Sequence, residues 1–319
     1  MKTFSSIADF NCDKKVVATL GTFDGVHVGH QMIIKKLVDS AKANGGESLV
    51  LTFFPHPRMV LKQDNSIRLL NTIEEKKELL KGLGLDNLVI QKFDLEFAQL
   101  SAEEFVKQVL VDKFNISKII IGYDHRFGKN RTADIHDLKV FGEKYGFEVE
   151  EISAQEIDHV SISSTKIRVA LEEDGNMMLA NEFLGYEYYF SGTVVHGKKL
   201  GRKLGFPTAN IVVDEDYKLI PENGVYVVES ELNGAKVMGM MSVGINPTFA
   251  DHPYTIEVNY LDWDGDLYDQ KLKVRILDRI RDELKFSGLD ELIAKLKDDE
   301  RVTREFFSRY EGKTVPSDR

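Results

Sequence analysis

The hydrophobic period of this chain changes once, near residue 190, and no other feature limits the fold as strongly. Before that point, helix-like stretches alternate with short apolar runs, at residues 16–20, 49–54, 88–91, 118–122 and 147–151. Such alternation is typical of a parallel sheet with helices on both faces. The helix-like stretches lie at residues 31–43, 72–83 and 136–145, and a further one opens at Ser101, where Glu104 completes the spacing of a capping box. The first half is therefore predicted to be a nucleotide-binding α/β domain.

After the change, the apolar runs are short and separated by Gly, Asn, Pro and Asp. They lie at residues 192–196, 224–231, 236–243, 255–261 and 271–277. This pattern predicts an antiparallel barrel or sandwich. Residues 289–297 and 302–310 are predicted to form two helices packed on it, and residues 171–181 a further helix. We expect a domain boundary near Tyr186, which gives domains of residues 1–185 and 186–319.

Length and composition limit the class of protein. A chain of 319 residues exceeds the length at which one core usually keeps growing, and its net charge of -10 argues against a nucleic-acid surface. No apolar run approaches the roughly 20 residues that span a bilayer, and acidic Asp9 stands where a signal sequence is apolar. A single cysteine, Cys12, fits a reducing compartment. We expect a cytoplasmic protein with small-molecule partners, and self-association stays open.

The most informative segment is GTFDGVHVGH, residues 21–30, which follows the first strand and precedes a helix. Backbone amides and a helix N-terminus converge there, and phosphate is their natural ligand. The glycines allow a ligand to approach the backbone, while His27 and His30 add donors that carry charge near neutral pH. Positioning and electrostatics supply most of the catalysis of phosphorus transfer, so no protein nucleophile is needed. The alternative is a pair of ordinary loop histidines. A zinc pair is rejected, because no third ligand has convincing spacing.

These residues form the HxGH signature of nucleotidylyltransferases, and the longer segment resembles bacterial FAD synthetases. Residues 162–168, ISSTKIR, are similar to the motif that ends the catalytic domain in that superfamily. Ser164 and Thr165 suit a helix start and can donate to phosphate, and Arg168 lies one turn on; a capped helix with a solvent-facing arginine is the alternative. The resemblance implies a catalytic role for one set of residues: His27, His30, Ser164, Thr165 and Arg168. It implies ATP binding by another: Gly21, Phe23, Asp24, Gly25 and Gly29.

Two further segments are similar to the FAD synthetase pattern, and both follow predicted strands. They are FPHP at residues 54–57 and GYDHRFG at residues 122–128. Ligands of open α/β sheets bind outside the carboxyl ends of the strands, so these loops are placed to hold adenine, ribose or the flavin phosphate. The resemblance implies flavin contacts for His56, Asp124 and Phe127, and loop punctuation is the alternative. The family usually has glycines after the FG step, where this chain has Asn130 and Ala133.

The second half carries GTVVHGKKLGRKLGFPTAN at residues 192–210. A P-loop is rejected, because Lys199 stands where magnesium needs Ser or Thr and the following residues are rich in Gly and Pro. What remains is a basic glycine-rich loop, including Gly197 and Lys203, that suits a polyphosphate or is a solvated turn.

The end of this segment is similar to the PTAN motif of riboflavin kinases. The resemblance implies that Thr208 and Asn210 hold magnesium and the ATP phosphates, and that Glu257 is the general base for the ribityl hydroxyl. Glu257 lies between Ile256 and Val258, so a polar residue on the wet face of a strand is the alternative. Arg281 and Glu283 are implied as flavin contacts. Mg²⁺ is the expected cofactor, because Thr208 and Asn210 are implied as its ligands.

Taken over the whole chain, the motifs resemble those of bacterial bifunctional riboflavin kinase and FAD synthetase enzymes. The resemblance implies phosphorylation of riboflavin to FMN, then adenylylation of FMN to FAD with release of pyrophosphate. Two alternatives stay open: an HxGH transferase with another acceptor, and a flavin-binding or regulatory protein in which one site is degenerate.

Overall fold

The computed structural model describes residues 1–63, 66–123, 125–153, 162–197, 200–245 and 254–310. The chain divides into two compact units. Among the described residues, the first contains 1–68 and 73–163, and the second contains 69–72 and 164–310. The change of unit at Ser163 comes ahead of the predicted domain boundary at 185/186.

The first unit contains a six-stranded parallel sheet in the order β1-β4-β3-β2-β5-β6. Its strands are β1 Lys2–Phe4, β2 Val16–Leu20, β3 Glu47–Phe54, β4 Asn87–Lys92, β5 Ile116–Gly122 and β6 Glu148–Ile152. The predicted α/β class is confirmed, and β1 was not foreseen because its three residues are too few to show a period. All five residues of β2 are buried, as expected of a strand covered on both faces.

Five helices connect these strands: α1 Val28–Ala43, α2 Pro57–Leu61, α3 Ile73–Gly82, α4 Ala102–Glu104 and α5 Ile135–Tyr145. The capping box predicted at Ser101 is present, with the Ser101 side chain accepting from the Glu104 amide and Glu104 reaching back. From Phe105 to Lys113 the helix continues as a π-helix. Short 3₁₀ turns occupy Phe97–Gln99 and Lys129–Arg131.

Strand β2 occupies the position where the chain reverses its direction across the sheet. It pairs with β3 on one side and with β5 on the other, while β4 and β1 follow beyond β3. A crevice opens outside the carboxyl ends of the strands at such a reversal, and ligands of open α/β sheets bind there. The loop that follows β2 is residues 21–27, so the fold places the HxGH segment at this position.

The second unit is built around a closed antiparallel barrel in the order β10-β11-β8-β7-β12-β9. Its strands are β7 Tyr189–Val195, β8 Ala209–Val212, β9 Gly224–Leu232, β10 Ala235–Ile245, β11 Tyr254–Tyr260 and β12 Lys271–Arg281. A barrel is thereby confirmed over a sandwich. Strand β8 was not predicted, because it has four residues and includes the last two letters of PTAN.

In the described part of this unit, the helices are α6 Ser164–Glu172, α7 Met177–Leu184, α8 Leu200–Lys203 and α9 Leu289–Phe307. The prediction of two C-terminal helices was wrong, because α9 runs unbroken through the charged residues 298–301. Asp299 in that stretch is fully buried and accepts hydrogen bonds from Arg281 at 2.9 Å and 2.7 Å. A buried, paired carboxylate allows the helix to continue where the sequence pattern indicated a break. No helix in the described part of the chain is long and apolar enough to cross a membrane.

Candidate functional sites

The loop after β2 is held in an unusual backbone conformation. Phe23, Gly25 and Val26 have positive φ angles of 45°, 86° and 38°, a region that side-chain-bearing residues rarely adopt. The Gly21 amide donates to the Leu51 carbonyl at 3.0 Å, which continues the sheet by one residue. The Gln31 side chain donates to the Val26 carbonyl at 2.9 Å. Strained positions of this kind cluster at ligand-binding sites, where the surrounding structure maintains them.

His27, at the end of this loop, and His30, in the first turn of α1, stack on each other. The rings of His27 and His30 have centroids 3.6 Å apart and lie 19° from parallel, and Phe23 contacts His30 edge-on at 5.1 Å. The Nδ1 atoms of both histidines are buried without a hydrogen-bond partner among the described residues. Burial lowers the pKa of His27 to about 4, although the nearby Asp24 carboxylate opposes the shift. Both buried Nδ1 atoms can therefore still take a hydrogen bond, and a ligand is one source of it.

The pKa of His30 is held well below its ordinary value by burial first, then by the neighbouring His27 and by Lys76. Both imidazoles are therefore neutral near pH 7 in the ligand-free chain. Neutral rings still offer an N–H donor, and an anion placed beside them would favour their protonation. The sequence motif predicted donors that carry charge near neutral pH, whereas in the structure burial lowers the pKa of both rings.

The first turn of α1 adds backbone donors next to these rings. His27 is the N-cap residue and its side chain makes no capping hydrogen bond, while no acidic residue occupies the first turn. Gly29 is buried in that turn. The helix dipole and the amides without intrahelical partners favour an anion at this end. The buried carboxylate of Asp24 lies in the preceding loop.

Lys76 belongs to this site, although it lies in neither sequence motif and was not predicted from the sequence. Its side chain extends from α3 with 3% exposure, and its Nζ donates to the Thr22 carbonyl at 2.7 Å. The hydroxyl of Thr52, on β3, donates to the same carbonyl at 3.2 Å. A signal existed in the sequence: Lys76 lies three and four residues before Leu79 and Leu80, on the buried stripe of its helix.

The two other loops of the first unit meet the same edge of the sheet. His56 is the N-cap of α2 and its Nδ1 accepts from the Arg58 amide at 3.1 Å. Phe127 is 7% exposed and packs in the core, 6.2 Å from the ring of Phe105, so its side chain has a structural role. The peptide bond between Phe54 and Pro55 is cis. Asp124 lies outside the described residues.

The departure from the family pattern after residue 128 has a conformational explanation. Asn130 has φ 57° and ψ 16°, in the left-handed region that asparagine tolerates better than most residues. Ala133 is 4% exposed, and its backbone pairs with that of Phe127. Asn130 thus adopts the backbone geometry for which glycine is usually chosen.

The ISSTKIR segment starts a helix, as the sequence predicts. Helix α6 begins at Ser164, Thr165 is exposed, and Arg168 is half-buried one turn later. These three residues belong to the second unit.

In the barrel, the predicted kinase residues come together. The Thr208 hydroxyl donates to the Glu257 carboxylate at 2.9 Å, across 49 residues of sequence. Asn210 on β8 is the direct cross-strand partner of Glu257 on β11. A Cβ atom added to Gly197 would lie 2.3 Å from the Asn210 side chain, so a larger residue here would force the Asn210 amide to move. A hydroxyl, an amide and a carboxylate therefore converge where the Gly197 backbone lies close to the Asn210 side chain.

Asn259 is a supporting residue that sequence reasoning missed. Its side chain is 6% exposed, and its Nδ2 donates to the Pro207 carbonyl at 2.7 Å. This bond ties the loop before Thr208 to strand β11, two residues after Glu257. No local pattern marks the interaction, because its partners are 52 residues apart.

The remaining predicted residues of the barrel unit have mixed surroundings. The Arg281 guanidinium is bound by Asp299 and stacks near Phe286 at 5.9 Å, so it is already engaged within the protein. Glu283 is exposed, and its Oε1 would lie 3.1 Å from a Cβ on Gly244. Lys203 ends the short helix α8. Residues 198 and 199 of the basic loop lie outside the described residues.

The donor set of the barrel suits a hard cation. Hydroxyl, amide and carboxylate oxygens are the ligands that Mg²⁺ takes, usually with water and substrate phosphates completing the shell. Three residues of this set are in place: Thr208, Asn210 and Glu257. Among the described residues, no group of three or more His, Cys, Asp or Glu side chains is arranged to hold a metal ion.

The fold and sites together define a class of protein: a nucleotidyltransferase-like α/β unit with a buried histidine pair, followed by a small closed barrel with an oxygen-rich site. The family model "FAD synthetase" matches residues 9–166, and the model "Riboflavin kinase" matches residues 184–307. The chain belongs to the family of bifunctional riboflavin kinase/FMN adenylyltransferases.

Individual relatives match over nearly the full length. The bifunctional riboflavin kinase/FMN adenylyltransferase of Listeria monocytogenes is 41% identical, over 94% of this chain and 95% of that protein. The protein of the same name from Escherichia coli K12 is 37% identical over 94% of each chain. A crystal structure from Streptococcus pneumoniae, titled a macrolide-efflux protein, is 34% identical, with a TM-score of 0.86 over 97% of this chain and 99% of that one.

Proposed function

We propose that this chain converts riboflavin to FMN at the barrel site and FMN to FAD at the histidine loop, using ATP in both steps. The observation that supports this best is the presence of two chemically different sites, each within the residues matched by its own family model. The two activities are thus assigned to separate stretches of the chain, with the division proposed at residue 185.

In the adenylylation step, a phosphate oxygen of FMN attacks the α-phosphorus of ATP. The new P–O bond forms as the bond to the bridging oxygen breaks, and pyrophosphate leaves with the electron pair. The nucleophile is already ionised near pH 7, so the site needs donors and positive charge more than a base. His27 and His30 supply imidazole donors, and the N-terminus of α1 supplies amides. Ser164, Thr165 and Arg168 are proposed ligands of the ATP phosphates on the strength of their motif.

In the kinase step, the nucleophile is a neutral hydroxyl of the ribityl chain. Glu257 accepts its proton while the hydroxyl oxygen bonds to the γ-phosphorus of ATP and ADP leaves. Thr208 holds the Glu257 carboxylate by a hydrogen bond of 2.9 Å. Thr208 and Asn210 would hold Mg²⁺, which neutralises phosphate charge when bound.

The flavin contacts are proposed from the motifs. His56, Asp124 and Phe127 are assigned to FMN on the strength of their motifs. Arg281 and Glu283 are assigned to riboflavin. The hydrogen bond to Asp299 holds the Arg281 guanidinium in a fixed position. The cytoplasm is the proposed location, since it provides ATP and keeps Cys12 reduced.

A time course tests the proposal directly. Purified chain is incubated with riboflavin, ATP and Mg²⁺, and the flavins are separated by chromatography. FMN that rises first and FAD that follows, with one pyrophosphate per FAD, are expected. FMN without FAD would remove the adenylyltransferase assignment and leave the kinase, whereas no flavin product would overturn both.

A further inference from the structure

The two neighbouring lysines of helix α3 have opposite environments. Lys76 is 3% exposed on the same buried stripe as Leu79 and Leu80. Lys77 is partly exposed and forms an ion pair with Glu74 at 2.6 Å. Lysine is almost never fully buried unless it is paired, because desolvating an ammonium group is costly. A buried lysine beside a predicted ligand site therefore calls for a specific role.

The ammonium group of Lys76 completes the anchoring of one carbonyl. The Thr22 carbonyl accepts from Lys76 Nζ at 2.7 Å and from Thr52 Oγ1 at 3.2 Å, which uses both lone pairs of the oxygen. Thr22 immediately precedes Phe23, where the backbone turns to positive φ. Two buried donors on β3 and α3 thus set the direction in which the loop leaves the sheet.

The charge of Lys76 is only partly compensated within the protein. Burial lowers the pKa of Lys76, and the Asp24 carboxylate acts in the opposite direction. His30, on whose pKa Lys76 also acts, is kept neutral by burial, as is His27 stacked on it. An ammonium carries three N–H bonds, and one of those of Lys76 has an acceptor among the described residues. A buried cation and two buried imidazole nitrogens without partners form a surrounding that favours a polyanion.

We propose that Lys76 is a positioning residue for adenylyl transfer, which fixes residues 21–27 through the Thr22 carbonyl and adds a buried positive charge beside the histidine pair for the triphosphate. The inference rests on the proposed function of this loop. It assigns a role to a residue that lies outside both sequence motifs, on helix α3.

Four variants of the full chain test this role. Lys76→Met keeps the length and apolar packing of the side chain but removes the charge and the donor. Lys76→Arg restores a cation and a donor, Lys77→Met is the matched control on the same helix, and Thr52→Val removes only the second donor to Thr22. For each variant, the rates of FAD formation from FMN and of FMN formation from riboflavin are measured in one preparation, with the melting temperature.

Lys76→Met is expected to lower kcat for FAD formation by about 100-fold, the size of effect seen when one preorganised donor is removed. The KM for FMN and the kinase rate stay unchanged, and Lys76→Arg recovers part of the loss. The melting temperature falls, because the buried Asp24 carboxylate loses a neighbouring cation, and Lys76→Arg recovers part of that loss; all rates are therefore measured well below the melting temperature of each variant. Thr52→Val has a smaller effect and Lys77→Met none.

Three outcomes would overturn the inference: unchanged FAD formation in Lys76→Met, an equal loss of the kinase rate, or a loss that follows a lower melting temperature without recovery in Lys76→Arg. A wild-type chain that makes FMN but no FAD removes the proposed function instead. The lysine is then tested by calorimetric titration with magnesium pyrophosphate, in which Lys76→Met must bind about 10-fold more weakly than Lys77→Met, as expected for the loss of one charge-assisted bond. Equal binding would reject the role of Lys76 as well.

Discussion

In the first unit, the candidate site is built mainly on residues 21–30, which Lys76 reaches from α3, whereas the barrel combines residues as distant as Gly197 and Glu257. The first site is buried in the protein, with stacked neutral imidazoles and a buried lysine. The second is half-open and lined by hydroxyl, amide and carboxylate oxygens.

The contrast between the two sites matches the ionisation of the proposed nucleophiles. A flavin phosphate is ionised before it reacts, so a site that activates it by positioning needs no base and gains from cations and donors. A ribityl hydroxyl is neutral, so a site that activates it needs a carboxylate and a metal-binding set of oxygens. On the proposed assignment, the two sites differ because their second substrates differ.

The largest expected effect comes from removing the base of the barrel. Glu257→Gln keeps an acceptor for Thr208 but cannot take a proton, so kcat for FMN formation should fall by about 10²- to 10⁴-fold. FAD formation from supplied FMN should be unchanged. Glu231→Gln, at an exposed carboxylate of strand β9, is the matched control. Equal loss of both activities would break the assignment of Glu257 to one site.

A loss of FAD formation, with the kinase rate retained, is expected when a histidine of the stacked pair is replaced. His30→Gln removes one ring of the stacked pair, and FAD formation should fall by about 10²- to 10³-fold with the kinase rate unchanged. His136→Gln, at an exposed histidine of α5, serves as the control. A histidine variant that slowed the kinase to the same degree would contradict the separation of the two sites.

The burial of His27 can be tested by measuring its pKa. The pKa of His27 is lowered to about 4, so the free ring stays neutral from pH 8 down to pH 5, while an unfolded chain takes up a proton near its ordinary value of 6.5. Stability associated with this group is therefore present above pH 6.5 and is lost as the pH falls toward 4. Imidazole resonances followed by NMR, with His27→Gln for assignment, check the value. A midpoint near 6.5 would show that the ring is hydrated.

The smallest effect is expected at Asn130. Because its φ of 57° is accessible to asparagine, Asn130→Gly should change the rate of FAD formation by less than about twofold and stability by a few tenths of a kcal/mol. Rates from FMN and melting curves of the two proteins suffice. A large gain in FAD formation with glycine would show that the departure from the family pattern weakens the adenylyltransferase.

The parts of this molecule that sequence could predict are those governed by local patterns. Strand β2 was predicted to its last residue, and the capping box at Ser101 was placed correctly, because both depend on neighbouring residues alone. The barrel residues Thr208, Asn210 and Glu257 came from motifs, and the structure places them together.

What was missed depends on distant partners. Asn259 supports Pro207 across the barrel, and Asp299 is buried because Arg281 reaches it from β12. Neither contact changes the local pattern of its segment. The positive φ angles at Phe23 and Val26 also escaped prediction, because the surrounding structure imposes them on residues that do not prefer them.

Four residues, Leu69–Thr72, cluster with the barrel although the chain on both sides of them belongs to the first unit. The Leu69 amide donates to the Tyr217 carbonyl at 2.6 Å, its carbonyl accepts from Leu219 at 2.8 Å, and buried Lys218 donates to the Leu70 carbonyl at 2.6 Å. A gene for residues 186–319 alone would leave all three bonds without their partners. The two halves therefore cannot be exchanged independently between relatives without breaking these bonds. Insertions around residues 69–72 would disturb a fold whose other residues begin almost a hundred positions later in the sequence.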